Sequence, residues 1–536
     1  MSWDHEVDVV VLGTGGAGLT AALTAAVAGA SVAVYEKAPT VGGTTAVSGG
    51  IVWIPAHNRS PDRELTAADA LRYLRAQSLG SMDDALVETF VRTGPAMLDF
   101  VEANSGLHFE IATGFPDYQP ELPGGQPGGG RSLSAAPYDL TQLGEWGERI
   151  TSFPADWSNV GFDAETRARL HAARNEQTGE LCVAGTALIA GLLKGLLDLG
   201  VVPRTNARAE HLIGDDREVT GVRLSLPGQT LNVRARSGVV LGTGGFEWDP
   251  VLVQAFLRGP MHGPVSPPNN TGDGLRMAMA RGADLANMGE AWWVPIVQIP
   301  GDTIQSKQRS RSVRLERTRP RSIIVNQAGS RFVNEACDYN SMAGAFHYLD
   351  PRGGYVNDRG WIVFDSVHLQ RYGFLGVEPG EPVPGWFCES ANLSELAGKT
   401  GIDADGLIRT IEAWNRHVAG GADPDFGRGS SAYDGYWGDD TATTLAGKTL
   451  GPIDTAPYYA VPVCIGAMGT KGGPRTDRDG RVLHVSGRPI PGLFASGNAM
   501  AGVTGRAYGG AGGTIGPAMV FGYRAGYAAA TGKSVD

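Results

Sequence analysis

The stretch Val7-Asp8-Val9-Val10-Val11-Leu12-Gly13-Thr14-Gly15-Gly16-Ala17-Gly18, closing on Val32-Ala33-Val34-Tyr35-Glu36, decides the fold of this 536-residue chain. A β-branched run stops at Gly13, an alanine-rich helical stretch runs from Leu19 to about Ala28, and a second apolar run ends in a carboxylate. Strand, turn, helix and strand in that order form the unit that holds a dinucleotide. Gly13 permits the tight turn, Gly15 lets the backbone approach a pyrophosphate, and Gly18 lets the helix pack closely on the sheet, so the helix N-terminus faces the phosphates. Gly16 and Ala17 belong to the same cradle. Glu36 stands where a carboxylate accepts the ribose hydroxyls of an adenosine half, with Lys37 beside it.

Working outward, composition excludes several classes. A hydrophobic content of 42% and a net charge of −11 fit a globular chain and argue against nucleic acid as a partner. No run reaches the ~18 apolar residues of a membrane span, which leaves only peripheral membrane contact open. Asp4, His5, Glu6 and Asp8 at the start do not resemble a secretory signal. Cys182, Cys337, Cys388 and Cys464 are too scattered for a disulfide framework or a metal site, and read as reduced thiols of a cytoplasmic protein. Glycine is unusual: 78 residues, about twice the ordinary share. The glycines cluster at 13–18, 42–50, 124–130, 242–245, 469–473 and 509–516, as a backbone does that passes close to a flat ligand at many points.

After Glu36, the loop Gly42-Gly43-Thr44-Thr45-Ala46-Val47-Ser48-Gly49-Gly50 offers small donors to a pyrophosphate and to one edge of a second ring system. Residues 65–105 are expected to be helical, capped by Thr66 and Asp69. Residues 114–125 form an irregular loop around Tyr118, and Gly185–Leu199 is a helix. Val201–Thr205 is expected as a strand, leading through Ala209–Leu212 and a turn at Asp215-Asp216 to Val219–Leu224. Leu231–Val240 then reaches Gly242-Thr243-Gly244-Gly245. A further strand, Gly492 to Asn498, and a helix opening near Gly513-Thr514-Ile515 lie at the far end. The fold class is therefore α/β. A discontinuous, Rossmann-like dinucleotide domain spans residues 1–295 and 447–536. A second, α+β catalytic domain is inserted at 296–446, with the ligand in the cleft between them.

Three glycine-rich strand ends and a C-terminal helix start exceed what a nicotinamide cofactor requires and suit FAD, whose reduced ring the positive helix end would stabilise. No histidine lies between Thr40 and Gly50, so the flavin is expected to be non-covalent. Candidate cofactor contacts are Gly13, Gly15, Gly16, Ala17, Gly18, Glu36, Lys37, Gly43, Thr44, Thr45, Ser48, Gly49, Gly50, Ala209, Thr243, Gly244, Gly497, Asn498, Gly513, Thr514 and Ile515. His262, His347 and His417 have no ligand spacing, and no metal is expected.

Taken over nearly the whole chain, Gly13–Gly18, Gly42-Gly43-Thr44, Asn270-Thr271-Gly272-Asp273-Gly274, Arg331-Phe332-Val333-Asn334-Glu335 and Gly492–Asn498 resemble the fumarate reductase and succinate dehydrogenase flavoprotein superfamily. Fumarate reductases carry an arginine four residues past that glutamate, where this chain has Tyr339. Phe115-Pro116-Asp117-Tyr118, Gly469-Thr470-Lys471-Gly472-Gly473 and Tyr508-x-x-x-Gly512 resemble the 3-ketosteroid Δ1-dehydrogenases. The resemblance implies that Tyr339, as tyrosinate or in a concerted transfer, takes the α-proton of a steroid-like, small hydrophobic ketone. Tyr118 would hydrogen-bond Tyr339 and favour its deprotonation, the Tyr508 hydroxyl and the Gly512 N–H would grip the ketone oxygen, and flavin would accept the β-hydride. The electron acceptor that reoxidises the flavin is not implied. Alternatives are a related reductase or dehydrogenase acting on another enone or on fumarate, and a catalytically silent flavoprotein. Position 509 departs from the steroid enzymes, being Gly where they commonly have Pro, and implies a looser turn before Gly512. The stretch Arg131–Ala136 and the basic run Arg309–Arg321 have no assigned role.

Overall fold

The expected strand-turn-helix-strand unit forms from His5–Leu12, Gly16–Val27 and Val32–Tyr35 in a computed structural model that describes residues 2–60, 64–152, 181–215 and 218–535. Val9, Val10 and Val11 are fully buried; the helices Gly16–Val27 and Ile515–Thr531 pack on the sheet and on each other, and the strand Val219–Leu226 packs against Pro489–Ala495. His5–Leu12 pairs in parallel with Val32–Tyr35 on one side and with Gln229–Leu241 on the other, and the latter pairs in parallel with Pro489–Ala495. The sheet is thus assembled from both ends of the chain and its middle, with Arg208–Gly214 and Val219–Leu226 added as an antiparallel ribbon on Gln229–Leu241. Asp216, half of the expected turn in that ribbon, lies outside the described residues.

Two expected elements differ. Residues 65–105 form two helices, Ala67–Ser78 and Asp84–Ser105, because the first ends on Leu79 in a left-handed conformation and Asp83 caps the second, accepting from Ala85 and Leu86 N. Val201–Thr205 is not a strand. Pro203 carries no N–H to give to a ladder, and only Arg204 bridges to Tyr35.

A second sheet runs Arg311–Ser312, Ala291–Val297, Tyr458–Thr470, Arg359–Asp365, Ser322–Val325, with Cys388–Ser390 also on Tyr458–Thr470. The segment 296–446 supplies four of its strands, whereas Tyr458–Thr470 lies wholly outside those bounds and Ala291–Val297 nearly so, so the second sheet also draws on the sequence on either side of that segment.

The C-terminal helix Ile515–Thr531 packs along Gly16–Val27. Cβ atoms at Gly522 and Gly526 would come within 2.5 and 2.2 Å of the Ala17 and Ala21 carbonyl oxygens, so the two helix axes approach only because these positions are bare. That contact aims the start of the C-terminal helix at the same cavity as Gly15. Among the described residues no helix is long and apolar enough to cross a membrane.

Candidate active site

One cavity of about 1100 Å³ lies between the two sheets. It is lined by every expected cofactor residue except Gly18 and Gly513, and also by Tyr118, Tyr339, Tyr508 and Gly512. The two exceptions do structural work outside the lining. A Cβ on Gly18 would lie 2.1 Å from the Gly13 carbonyl oxygen, so Gly18 serves helix–sheet packing, and the Gly513 N–H closes a turn on the Gly510 carbonyl at 2.9 Å.

The cofactor end is built on backbone. Gly13 adopts φ +102°, and a Cβ there would strike the Gly242 carbonyl oxygen at 2.3 Å, so glycine is obligatory where the two parallel strands end side by side. The Glu36 carboxylate is held in place: Oε2 accepts from Thr14 N at 3.0 Å and Thr14 Oγ1 at 2.7 Å, and Oε1 accepts from Ala38 N at 2.9 Å. Thr45 Oγ1 accepts from Gly16 N at 3.1 Å, and Thr44 Oγ1 accepts from Asn270 Nδ2 at 2.9 Å. Lys37 turns aside to Asp273 at 2.9 Å and Thr271 at 2.8 Å. Thr243 Oγ1 and Ser496 Oγ, buried atoms of residues that line the cavity, have no hydrogen-bond partner among the described residues, which fits a polar ligand on top of the strand ends.

At the other end three tyrosines from distant parts of the chain meet. Tyr118 Oη and Tyr339 Oη are 2.5 Å apart, Tyr339 donates to Tyr508 Oη at 3.1 Å, and Thr514 Oγ1 donates to the same oxygen at 3.1 Å. The Tyr508 oxygen therefore accepts twice and keeps its own hydrogen for another acceptor. The Gly512 N–H likewise donates to no acceptor among the described residues. All three rings are buried, and burial raises the phenol pKa of Tyr118 and Tyr339 well above the ordinary value and that of Tyr508 above it. The Tyr118 hydrogen bond lowers the Tyr339 pKa but does not reverse the rise. Tyr339 is thus a neutral phenol here, and the tyrosinate expected as one option is disfavoured.

The loop expected to be loose at Gly509 is held tightly. The Gly509 carbonyl accepts from Tyr118 N at 3.1 Å and Tyr73 Oη at 2.7 Å, and a Cβ at 509 would lie 2.4 Å from the Trp53 ring. Residues without an assigned role in the sequence explain the rest of the positioning. Arg131 and Asp117 form a buried pair at 2.6 Å, Asp117 also accepts from Trp53 Nε1 at 3.0 Å, and Ser132 Oγ donates to the Ala511 carbonyl at 2.9 Å. Lys471 Nζ donates to the Arg506 and Ala507 carbonyls at 3.1 and 3.0 Å and lies 4.1 Å from the Trp292 ring centroid and 5.6 Å from that of Tyr508. Burial pulls its pKa down to about 7. Only its place in a Gly-Thr-Lys-Gly-Gly run signalled it. On the opposite side, Arg331 binds Glu335 at 2.8 Å and Asp423 at 2.9 Å, while Arg317 donates to the Glu335 and Cys337 carbonyls, so the turn that presents Tyr339 is braced by buried charge.

A glycine cradle, a carboxylate at the second strand and a helix start facing one cavity define a dinucleotide-binding oxidoreductase, and the sequence matches the FAD binding domain family over residues 8–515. The chain belongs to that family and binds FAD. A 4-oxocyclohexanecarboxylate 2-dehydrogenase of Sinomonas cyclohexanicum is 42% identical to it, over 97% of this chain and 92% of that protein. A 3-oxosteroid 1-dehydrogenase of Mycolicibacterium smegmatis is 38% identical, over 97% of this chain and 96% of that one. Among solved structures, the 3-ketosteroid Δ1-dehydrogenase of Sterolibacterium denitrificans, in complex with 1,4-androstadiene-3,17-dione, superposes with a TM-score of 0.90 at 34% identity, covering 99% of this chain and 100% of that one.

Proposed function

We propose that the chain is an FAD-dependent dehydrogenase of the 3-ketosteroid Δ1 type, desaturating the carbon–carbon bond next to the carbonyl of a six-membered ring ketone. The substrates named for its relatives share this unit, as the steroid A ring or as a single ring. The observation that carries the reading is the Tyr118–Tyr339–Tyr508 hydroxyl chain ending at an unspent O–H and the Gly512 N–H, in the cavity of the cofactor cradle.

The ketone oxygen sits between Tyr508 Oη and Gly512 N. Tyr339 Oη takes the α-proton. Burial disfavours a free phenolate, so Tyr339 passes its own hydrogen to Tyr508 Oη along the 3.1 Å bond, and Tyr508 gives its hydrogen to the ketone oxygen. The α-carbon loses a proton, the oxygen gains one, and neither tyrosine is left charged; when the β-hydride has left, the oxygen would hand that proton back to Tyr508, and the hydroxyl chain would release one proton to solvent, leaving the neutral enone. Tyr118 donates to Tyr339 and holds its lone pair toward the substrate. FAD, when bound, supplies the two-electron acceptor that no side chain provides. Phe115 and Trp437, both buried, line this end of the cavity and pack edge to face.

Anaerobic addition of androst-4-ene-3,17-dione and of simple cyclohexanones to the yellow holoenzyme tests the reading. Bleaching of the flavin with release of the enone is expected, and a flavin that no ring ketone bleaches overturns it.

A further inference from the structure

Three arginines of the basic run line the substrate end of the cavity, and they differ in their partners. Arg311 Nε binds Asp302 at 2.7 Å, and Arg309 approaches the same carboxylate at 4.0 Å. Arg314 is half-buried, and its guanidinium makes no hydrogen bond or ion pair among the described residues. Its backbone is fixed, with N donating to Glu316 Oε2 at 3.0 Å and the carbonyl accepting from Thr318 Oγ1 at 2.7 Å, so Glu316 is engaged by the main chain. The guanidinium carbon lies 5.7 Å from the Trp437 ring centroid. Trp437 also lines the cavity, and its indole N–H is directed at the Tyr433 hydroxyl, which does not. A guanidinium is a donor only and carries a positive charge, so this corner calls for an anionic acceptor.

The corner belongs to the same site as the ketone grip. Arg314, Tyr508 and Gly512 line the one cavity; burial raises the Tyr508 phenol pKa, hydrogen bonds with Thr514, Tyr339 and Tyr118 oppose the rise most, and Arg314 adds a smaller pull. A wholly apolar ligand filling the cavity would dehydrate Arg314 without giving its guanidinium an acceptor, which is unfavourable. A carboxylate set across a single ring from the ketone would supply one.

Resting on the reading that Tyr508 and Gly512 hold a ring ketone, we propose that Arg314 receives a carboxylate on the far side of that ring, so that the substrate class is a small 4-oxocyclohexane-type ring acid.

Binding and turnover separate this proposal from the reaction on which it rests. 4-Hydroxybenzoate presents a phenol oxygen and a carboxylate across one ring and cannot be desaturated, and its binding to the holoenzyme is read from the flavin spectrum. It should bind at least ~10-fold more tightly than its methyl ester, the loss expected for one charge-assisted hydrogen-bonded pair, and Arg314→Gln should remove most of that difference. Arg314→Lys, which keeps the charge and loses the fork, should fall between. In turnover, Arg314→Gln should raise KM for 4-oxocyclohexanecarboxylate ~10-fold or more relative to its methyl ester, with a smaller effect on kcat. Equal binding of acid and ester by the wild type, or a preference that survives in Arg314→Gln, overturns the proposal even if ring ketones are desaturated. Arg314-dependent binding of 4-hydroxybenzoate together with a flavin that no ketone bleaches would uphold the carboxylate site and overturn the reaction.

Discussion

Replacing Tyr339 by Phe deletes one oxygen from the centre of the hydroxyl chain and leaves the ring where it packs, 5.2 Å from the Tyr118 ring and 5.6 Å from the Tyr508 ring. That oxygen accepts from Tyr118 and donates to Tyr508, so the variant loses the acceptor for the α-proton and breaks the path to the ketone oxygen. A positioned general base contributes ~10²–10⁴ in rate, or ~3–5 kcal/mol of barrier. The Tyr118 hydroxyl is also left buried without its acceptor, at ~1–3 kcal/mol of stability, a loss that a domain of ordinary stability tolerates. Anaerobic stopped-flow bleaching of the bound flavin by a ring ketone measures the step directly, and the flavin spectrum before mixing checks that the cofactor is seated. The expected result is a slowing of at least ~100-fold with full flavin content. Because burial keeps the phenol neutral, wild-type bleaching should be nearly independent of pH from about 6 to 9. Bleaching by Tyr339→Phe within a few-fold of wild type removes Tyr339 as the base. A wild-type rate that climbs tenfold per pH unit refutes the neutral relay and restores tyrosinate.

Tyr508→Phe removes the hydrogen left for the ketone oxygen and should lower kcat by ~10²–10³ without changing flavin stoichiometry; parallel loss of flavin would point to a structural role instead. Glu36→Ala frees Thr14 and Ala38 from the carboxylate that organises them, and FAD should be lost more readily on gel filtration; unchanged retention contradicts its role in the cradle. Lys471 has a folded pKa of about 7 against ~10.4 in the unfolded chain, so between these values the unfolded chain holds the extra proton and stability through this group rises with pH. Lys471→Met should flatten Tm against pH across that window and lower kcat through the Tyr508 loop, and two parallel Tm profiles would sink the argument. Gly509→Ala places a Cβ 2.4 Å from the Trp53 ring and should cost activity more than flavin content, as measured by turnover per bound flavin.

What could be read from the chain alone was what short spacing encodes. The cradle at Gly13–Gly18 and the carboxylate at Glu36 are set by backbone dihedrals and period within about thirty residues, and the structure assembles them as expected. The tyrosines were legible only through resemblance, since Tyr118 and Tyr339 are 221 residues apart and Tyr339 and Tyr508 169. Their meeting depends on how two sheets dock, which no local preference records. Tertiary contacts also decided Gly509, where a flexible residue is immobilised by the Trp53 ring and by Tyr73 and Tyr118. They sorted the basic run as well: one stretch of like charge divides into Arg311 and Arg309 on Asp302, Arg317 on the carbonyls behind Tyr339, and Arg314 facing the cavity. Sequence specifies the charge on each of these side chains, but the packing around it determines which carboxylate, carbonyl or open space it meets.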